Sequence, residues 1–263
     1  MSRTRIAVLG ATGRMGAGLV RELADHPTAM LAGAYARGRA GTDAGTAAGL
    51  AAPLGVPLTE DRSAALATAE VALDFTLPEA LPENLAACLA RGCALLVGTT
   101  GLDAAAQATL EAAGRRIAVL LAPNTSLGVA LLARLVAEAA RALPEDFDIE
   151  VLEAHHRDKR DAPSGTARLL AAAAAAARGR PRPEAAASRA GARAAGSIGF
   201  ASLRGGDVAG EHTVLFLGPG ERLELGHRTD DRRIFVRGAL RAAEWLRGRA
   251  PGLYRMADVL GTG

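Results

Sequence analysis

The sequence predicts an α/β protein: a doubly wound parallel sheet, plus a second α+β domain built on a mixed sheet. Three observations carry this. Short apolar runs at residues 6–9, 29–35, 71–75, 94–97 and 117–120 alternate with helix-periodic stretches, the pattern of successive βαβ units. The first run passes directly into Gly10-Ala11-Thr12-Gly13-Arg14-Met15-Gly16, a glycine-rich turn that opens a helix. Beyond Leu143-Pro144 the texture changes: runs at 197–203, 212–217 and 222–227 follow one another through Gly-rich turns, with no helical pattern between them.

Taken in order, 6–9 is a buried strand, and 14–25 is a helix whose apolar side carries Met15, Leu19, Val20 and Leu23. The turn between them is Gly-x-x-Gly-x-x-Gly, a variant of the Rossmann-type fingerprint with the same physics. Glycines permit a tight bend, and a pyrophosphate meets unpaired N–H groups at a helix N-terminus. The strand at 29–35 ends where a carboxylate holds the adenosine ribose, about 20 residues beyond the turn. That position is Ala36, followed by Arg37-Gly38-Arg39. With no carboxylate to repel it, a 2′-phosphate can pair with Arg37 or Arg39, so NADPH is expected to serve at least as well as NADH.

Residues 40–57 read as a loop and 63–67 as a short helix. The strand at 71–75 leads through Thr76 to Pro78, which opens a helix stopped by Gly92. The strand at 94–97 ends in Gly98-Thr99-Thr100-Gly101. After a helix at 103–113, the strand at 117–120 ends in Ala122-Pro123-Asn124-Thr125-Ser126. Loops at the carboxyl ends of such strands are where open α/β sheets bind ligands. An apolar helix over 127–141 leads out of the sheet, followed by a strand at 148–152 and a helix reaching about residue 178. Residues 179–196 are rich in Pro, Arg and Gly and read as a mobile loop. The last helix, 233–247, has Phe235, Val236, Leu240 and Trp245 as candidate core residues and is expected to return to the first domain.

The segment Glu153-Ala154-His155-His156-Arg157-Asp158-Lys159-Arg160-Asp161-Ala162-Pro163-Ser164-Gly165-Thr166 concentrates the chemistry. Lys159 is the only lysine among 31 basic residues. Arginine holds its proton at neutral pH, whereas a lysine can be tuned into a donor. Two of the five histidines precede it, and Ser164-Gly165-Thr166 reads as a helix start with free backbone N–H groups. Proton-transfer groups beside an anion-binding helix end point to an active site.

Composition narrows the alternatives. Aromatic content of 3%, a net charge of +3 and the absence of a basic block argue against nucleic-acid and membrane-surface partners. Cys88 and Cys93 have neither redox nor zinc spacing and read as buried thiols. Adjacent histidines with no i, i+4 pair do not make a metal site, so no metal is expected. The residues before the first strand lack a signal-peptide core, and the alanine run from Ala171 to Ala177 is too short to span a bilayer. A cytoplasmic protein is expected by elimination.

Together these motifs make the chain resemble the dihydrodipicolinate (4-hydroxy-tetrahydrodipicolinate) reductase family. The resemblance rests on Gly10 to Gly16, Asp74-Phe75-Thr76, Gly98-Thr99-Thr100-Gly101, Ala122-Pro123-Asn124, the His-His…Lys…Asp-Ala-Pro-Ser-Gly-Thr block, Ile198-Gly199-Phe200 and Gly210-Glu211-His212-Thr213. It implies a nicotinamide-binding domain over 1–126 and 235–263, and a substrate-binding, oligomerising domain over 127–234 whose sheet makes the contacts of a homotetramer. It implies His155 as proton donor or acceptor, Lys159 as proton donor, and His156, Gly165 and Thr166 as binders of a small dicarboxylate. Gly10, Ala11, Thr12, Gly13, Arg14, Met15, Arg37, Gly98, Thr99, Thr100, Ala122, Pro123, Asn124 and Thr125 would line NADPH or NADH. Three departures stand out: Ala36 in place of an acid, Leu77 where some members carry arginine, and a shortened stretch from Ser188 to Ser197. A semialdehyde dehydrogenase would need a cysteine nucleophile, which neither cysteine resembles. A non-catalytic NADP sensor would have no use for the His-His…Lys cluster.

Overall fold

The computed structural model describes residues 2–185 and 190–261. The expectations for 179–196 and for the stretch from Ser188 to Ser197 fall in part on residues 186–189, outside the described residues. In chain order the elements are β1 (Thr4–Leu9), α1 (Arg14–Ala24), β2 (Ala29–Tyr35), α2 (Ala44–Ala47), β3 (Leu58–Thr59), α3 (Arg62–Ala65) and β4 (Val71–Asp74). A 3-10 turn (Pro78–Ala80) then enters α4 (Leu81–Arg91), followed by β5 (Ala94–Val97), α5 (Ala104–Ala113) and β6 (Ala118–Leu121). Next come α6 (Leu127–Ala142), β7 (Asp148–His155), α7 (Gly165–Ala177), β8 (Ile198–Arg204), β9 (Gly210–Gly218) and β10 (Glu221–Thr229). The chain closes with α8 (Arg233–Leu246), β11 (Gly252–Arg255) and α9 (Met256–Val259). Two compact units result: Met1–Ser126 with Arg233–Gly263, and Leu127–Arg232.

The first unit is a seven-stranded sheet in the order β11-β6-β5-β4-β1-β2-β3, parallel in every pairing. β4, β5 and β6 are buried at every position, which is why they read as unbroken apolar runs and not as alternation. Leu66, Leu85, Cys88 and Leu110, from the α3, α4 and α5 region, join one apolar cluster with residues of these strands. The returning helix α8 packs on α1 and on β4, β5 and β6, and Thr125 Oγ1 donates to Phe235 O at 2.6 Å where α8 begins.

Local signals set the helix ends. Asp103 caps α5 by accepting from Ala106 N at 2.7 Å. Gly92 ends α4 in the left-handed region, with Cys93 N donating to Cys88 O at 3.0 Å. That bend carries both thiols into the core, where the hydrogen bond with the neighbouring Cys93 thiol, and then burial, push the Cys88 thiol up.

Several elements escaped the sequence pattern. β3 has two residues and β11 four, too short for periodicity to show. Within 40–57 the Asp43 carboxylate accepts from Thr46 N, Leu54 N and Gly55 N and organises the stretch around α2. In α8, Phe235 and Trp245 are half-buried; the inward face is Val236, Ala239, Leu240, Ala242, Ala243 and Leu246. Alanines, not the aromatics, bring α8 close to the sheet.

The second unit is a four-stranded sheet in the order β10-β9-β7-β8. β7 pairs parallel with β8 and antiparallel with β9, so the sheet is mixed. One face, with Ile149, Val151, Val214 and Phe216, packs with Leu132 and Val136 of α6 and Leu170, Ala171 and Ala174 of α7. Each large apolar side chain removed from water here contributes about 2–3 kcal/mol. β7 runs three residues past the expected end at 152, pairing Glu153 with His212 and Ser202, and His155 with Arg204. The inward positions turn from Ile149 and Val151 to Glu153 and His155, so the apolar alternation stops while the ladder continues. No helix among the described residues is long and apolar enough to cross a membrane.

Candidate active site

In the second unit, the site grows from the end of β7. Glu153 and His155 are two residues apart on one strand and therefore share a face, the face that carries the core below them. Glu153 is 2% exposed. Its carboxylate accepts from Arg204 Nη1 at 2.8 Å and Nη2 at 2.7 Å, and from the backbone N of Ser164 at 3.2 Å. Oε2 also lies 2.5 Å from His155 Nδ1. Burial pushes the carboxyl up, but the Arg204, Ser202 and His155 hydrogen bonds together outweigh it and hold Glu153 at about 2. The group is therefore an anion that can only accept, and His155 Nδ1 must carry the proton between them.

His155 itself is pulled in both directions. Burial lowers its proton affinity, the Glu153 hydrogen bond and charge raise it, and Lys159 and Arg204 lower it; the net direction is down. Its ring meets that of His212 edge-on, with centroids 5.1 Å apart. His212 Nε2 lies 2.9 Å from Ser164 Oγ, and that hydroxyl also accepts from Ala167 N at 3.1 Å as the N-cap of α7. Burial above all, and then His155, push His212 down to about 4, so its ring is neutral.

The start of α7 is consequently clamped twice, at Ser164 N by Glu153 and at Ser164 Oγ by His212. Gly165 and Thr166 are its first two residues, and their amides precede the first i→i−4 bond, which Arg168 N makes to Ser164 O. A Cβ built on Gly165 would meet nothing within 4 Å, so the approach to this helix end is open. Lys159 Nζ donates to Asp161 Oδ1 and Oδ2 at 2.7 and 2.9 Å, and the ammonium draws the Asp161 carboxyl below its ordinary value. His156 follows β7 directly and is half-buried.

The remaining candidate residues all lie in the first unit, at the carboxyl ends of neighbouring strands. Gly10, Ala11, Thr12 and Gly13 form the turn after β1; Arg14 and Met15 open α1; Arg37 follows β2; Gly98, Thr99 and Thr100 follow β5; Ala122, Pro123, Asn124 and Thr125 follow β6. The turn is drawn tight by Gly10 N and Ala11 N, both donating to Tyr35 O at 3.0 Å. Gly10 has φ +83°, and a Cβ on Gly16 would lie 2.0 Å from Gly10 O, so the turn and the helix touch without room for a methyl group. Gly13 caps α1 without a side-chain hydrogen bond, and no acidic residue occupies the first turn. Such a helix end fits a pyrophosphate.

The neighbouring loops are locked together. Buried Asp74 accepts from Thr76 N at 2.9 Å, Thr76 Oγ1 at 2.6 Å and Asn84 Nδ2 at 3.0 Å, while Thr99 Oγ1 donates to Thr76 O at 3.1 Å. Ala36 is buried, and Arg37 and Arg39 are exposed beside it. Gly38 N donates to Glu60 Oε1 at 2.7 Å. Leu77, at the position of the missing arginine, is exposed. No group of three or more potential metal ligands exists among the described residues.

The sequence singles out His155, Lys159 and the start of α7 at Ser164, but carries no role for Glu153, Arg204 or His212. A signal existed for one of them: an acidic residue two positions before a candidate proton-transfer histidine on a strand shares its face.

The family model described as dihydrodipicolinate reductase, N-terminus, matches residues 4–125, and that described as dihydrodipicolinate reductase, C-terminus, matches 128–260. A 4-hydroxy-tetrahydrodipicolinate reductase from Rhodopseudomonas palustris is 51% identical, over 100% of this chain and 98% of its own. One from Methylocella silvestris is 50% identical, over 100% and 99%. A solved dipicolinate-bound dihydrodipicolinate reductase from Paenisporosarcina sp. TG-14 superimposes with a TM-score of 0.79 at 25% identity, covering 96% of this chain and 97% of that one. With both family models matched in tandem and full-length relatives at half identity, the chain belongs to the dihydrodipicolinate reductase family.

Proposed function

We infer that the protein reduces 4-hydroxy-tetrahydrodipicolinate to tetrahydrodipicolinate, with loss of water, using NADPH or NADH as hydride donor in diaminopimelate and lysine biosynthesis. The observation that carries this reading is the Glu153 carboxylate, which joins a proton-transfer histidine to a helix start suited to a carboxylate.

The substrate class is a small cyclic imine with two carboxylates. Gly165 and Thr166 amides supply fixed donors to one carboxylate without the entropy cost of ordering long side chains, and His156 adds a further polar contact. A bound nicotinamide supplies the hydride; the protein supplies orientation, electrostatics and the proton. His155, with Nδ1–H turned to Glu153, keeps Nε2 for proton exchange with the substrate. Lys159 donates the proton that accompanies the hydride and exchanges its Asp161 partner for the anionic substrate. In the first unit the turn from Gly10 to Met15 holds the pyrophosphate, Arg37 a 2′-phosphate, and Gly98 to Thr100 with Ala122 to Thr125 the nicotinamide half.

A homotetramer in the cytoplasm completes the proposal. Its support is the sheet face opposite α6 and α7, where Leu203 is 66% exposed and pairs with Ala154, beside half-buried Leu152, Leu215 and Leu217. Sedimentation of wild type against Leu203→Glu tests it: a tetramer that the charge splits is expected, and a wild-type monomer rejects it.

The activity is tested by following NADPH oxidation at 340 nm with substrate generated in situ from pyruvate and aspartate semialdehyde. Oxidation that requires both precursors is expected. Cofactor binding without oxidation would instead mark a sensor.

A further inference from the structure

The Glu153 carboxylate is bound from three separate parts of the unit: by His155 on its own strand, by Ser202 and both terminal nitrogens of Arg204 on β8, and by Ser164 N at the head of α7. Mere structural burial of a carboxylate needs a counter-charge, which Arg204 provides alone with two charge-assisted hydrogen bonds. The bonds to His155 and to Ser164 N reach the two groups that the proposed mechanism uses, the proton-exchanging ring and the amides beyond Ser164.

We propose that Glu153 is the positioning residue of the active centre: it fixes His155 as the Nδ1–H tautomer, leaving the Nε2 lone pair for the substrate, and holds the α7 amides in register with that ring. This rests on the assignment of His155 as a proton-transfer group. Arg204 is the counter-charge that keeps Glu153 ionised, and it also donates to Asp161 O at 2.7 Å, tying the loop of Lys159 to the same carboxylate. A histidine held by an ionised partner at Nδ1 keeps one tautomer and one ring orientation, and a neutral partner loses both constraints.

The groups acting on His155 are Glu153 on β7, Arg204 on β8 and Lys159 on the following loop, with the His212 ring of β9 edge-on against it; Asp161 and Ser164 lie one contact further out, on Lys159 and on Glu153, and His227 on β10 lies beyond His212, with which it pairs. Of these only Glu153 and Asp161 are anionic, and of the two only Glu153 touches the ring. Replacing Glu153 by Gln removes the charge at nearly constant volume; its carbonyl is claimed by the Ser164 N and Arg204 Nη2 donors that Oε1 now serves, so its N–H₂ faces Nδ1 and needs an acceptor there.

The test uses the intact enzyme. Nitrogen-15 spectra of the histidine rings, with His155 assigned by its loss in His155→Gln, are expected to show the Nδ1–H tautomer in wild type. In Glu153→Gln the ring is expected to leave that tautomer, kcat to fall on the order of 10- to 100-fold, and the limb of the pH profile that reports His155 to move to lower pH. KM for NADPH is expected to stay constant. A wild-type Nε2–H tautomer overturns the proposal, and needs no variant to fold. So does a Glu153→Gln enzyme with unchanged tautomer and pH profile, because loss of stability alone lowers the active fraction without moving either. If instead His155→Gln retains wild-type turnover, the assignment of His155 fails, which is a separate outcome from a failure of Glu153.

Discussion

His212 Nε2 lies 2.9 Å from Ser164 Oγ, so a buried ring on β9 holds the residue that caps α7. Ser164→Ala removes the cap and strips His212 of this partner at once. An N-cap lost to alanine costs about 1 kcal/mol, and the stranded ring adds to it. The expected result is a lower Tm together with a raised KM for the dicarboxylate and an unchanged KM for the cofactor. A variant that loses stability but keeps its substrate KM would show that α7's first turn does not bind the carboxylate.

The same ring makes stability depend on pH. His212 sits at about 4 in the fold against an ordinary 6.5, chiefly because it is buried; its Nδ1 has no hydrogen-bond partner among the described residues to hold a second proton. Above pH 6.5 the ring is neutral folded or unfolded and contributes no pH dependence. Between 6.5 and about 4 the unfolded chain gains a proton that the fold refuses, so stability falls with acid by roughly 3 kcal/mol in all. Glu153 behaves as a depressed carboxylate: its contribution is complete above its ordinary 4.5 and is lost as pH falls toward about 2. Chemical denaturation at pH 7.5, 6, 5 and 4 should show the first slope, and His212→Gln should flatten it. An equally steep slope in the variant would place the sensitive group elsewhere.

The parallel sheet is legible because its central strands are buried on both faces and its helices carry their own start and stop signals, Pro78 and Asp103 at starts and Gly92 at a stop among them. The glycine turn was legible because a close backbone approach admits nothing larger. The active centre was legible only in part. Lys159 stood out as the sole lysine, and His155 through its place in the motif. Arg204 lies 49 positions after His155 and meets it only because β7 and β8 pair in parallel. No sequence period encodes that register. On β7 the apolar alternation ends at 152 because an ionic cluster replaces the apolar side chains there, so the residues of the proposed site erase the pattern that would have placed them on the strand.

Two glycines of the motifs respond in opposite ways to an added methyl group. At Gly16 the methyl carbon would fall 2.0 Å from Gly10 O, and α1 must shift off the turn. Gly16→Ala is expected to cost about 1–3 kcal/mol and to raise KM for the cofactor. At Gly165 a methyl group meets nothing within 4 Å, so Gly165→Ala should keep the wild-type Tm while its methyl crowds the arriving substrate and raises that KM alone. Tm and the two KM values, measured for both variants, separate the cofactor end from the substrate end.

On the proposed reading, cofactor choice turns on the segment after β2. Ala36 is buried and uncharged, and the exposed Arg37 follows it. A guanidinium on a 2′-phosphate contributes about 1.5–3 kcal/mol, a factor of ten or more. Arg37→Ala is therefore expected to lower kcat/KM for NADPH about tenfold and to leave that for NADH unchanged. Equal losses with both cofactors would show that Arg37 acts on the shared part of the dinucleotide, and a wild-type enzyme with a strong NADH preference would remove the 2′-phosphate site altogether.

Lys159 carries the sharpest prediction. Its ammonium is held by both oxygens of Asp161, and a guanidinium placed there keeps the charge and pairs with the same carboxylate in bidentate fashion. Binding of an anionic substrate by charge alone would survive Lys159→Arg. Proton delivery would not, because a guanidinium does not release its proton near neutral pH. The variant is thus expected to retain substrate KM within about threefold and to lose kcat by 10²-fold or more, the usual scale for removing a positioned general acid. Lys159→Met, which loses charge and proton together, should show both defects. The pair of variants measured side by side divides the two roles. If Lys159→Arg turns over at the wild-type rate, the ammonium binds and does not donate, and His155 is left as the sole proton-transfer group of the site.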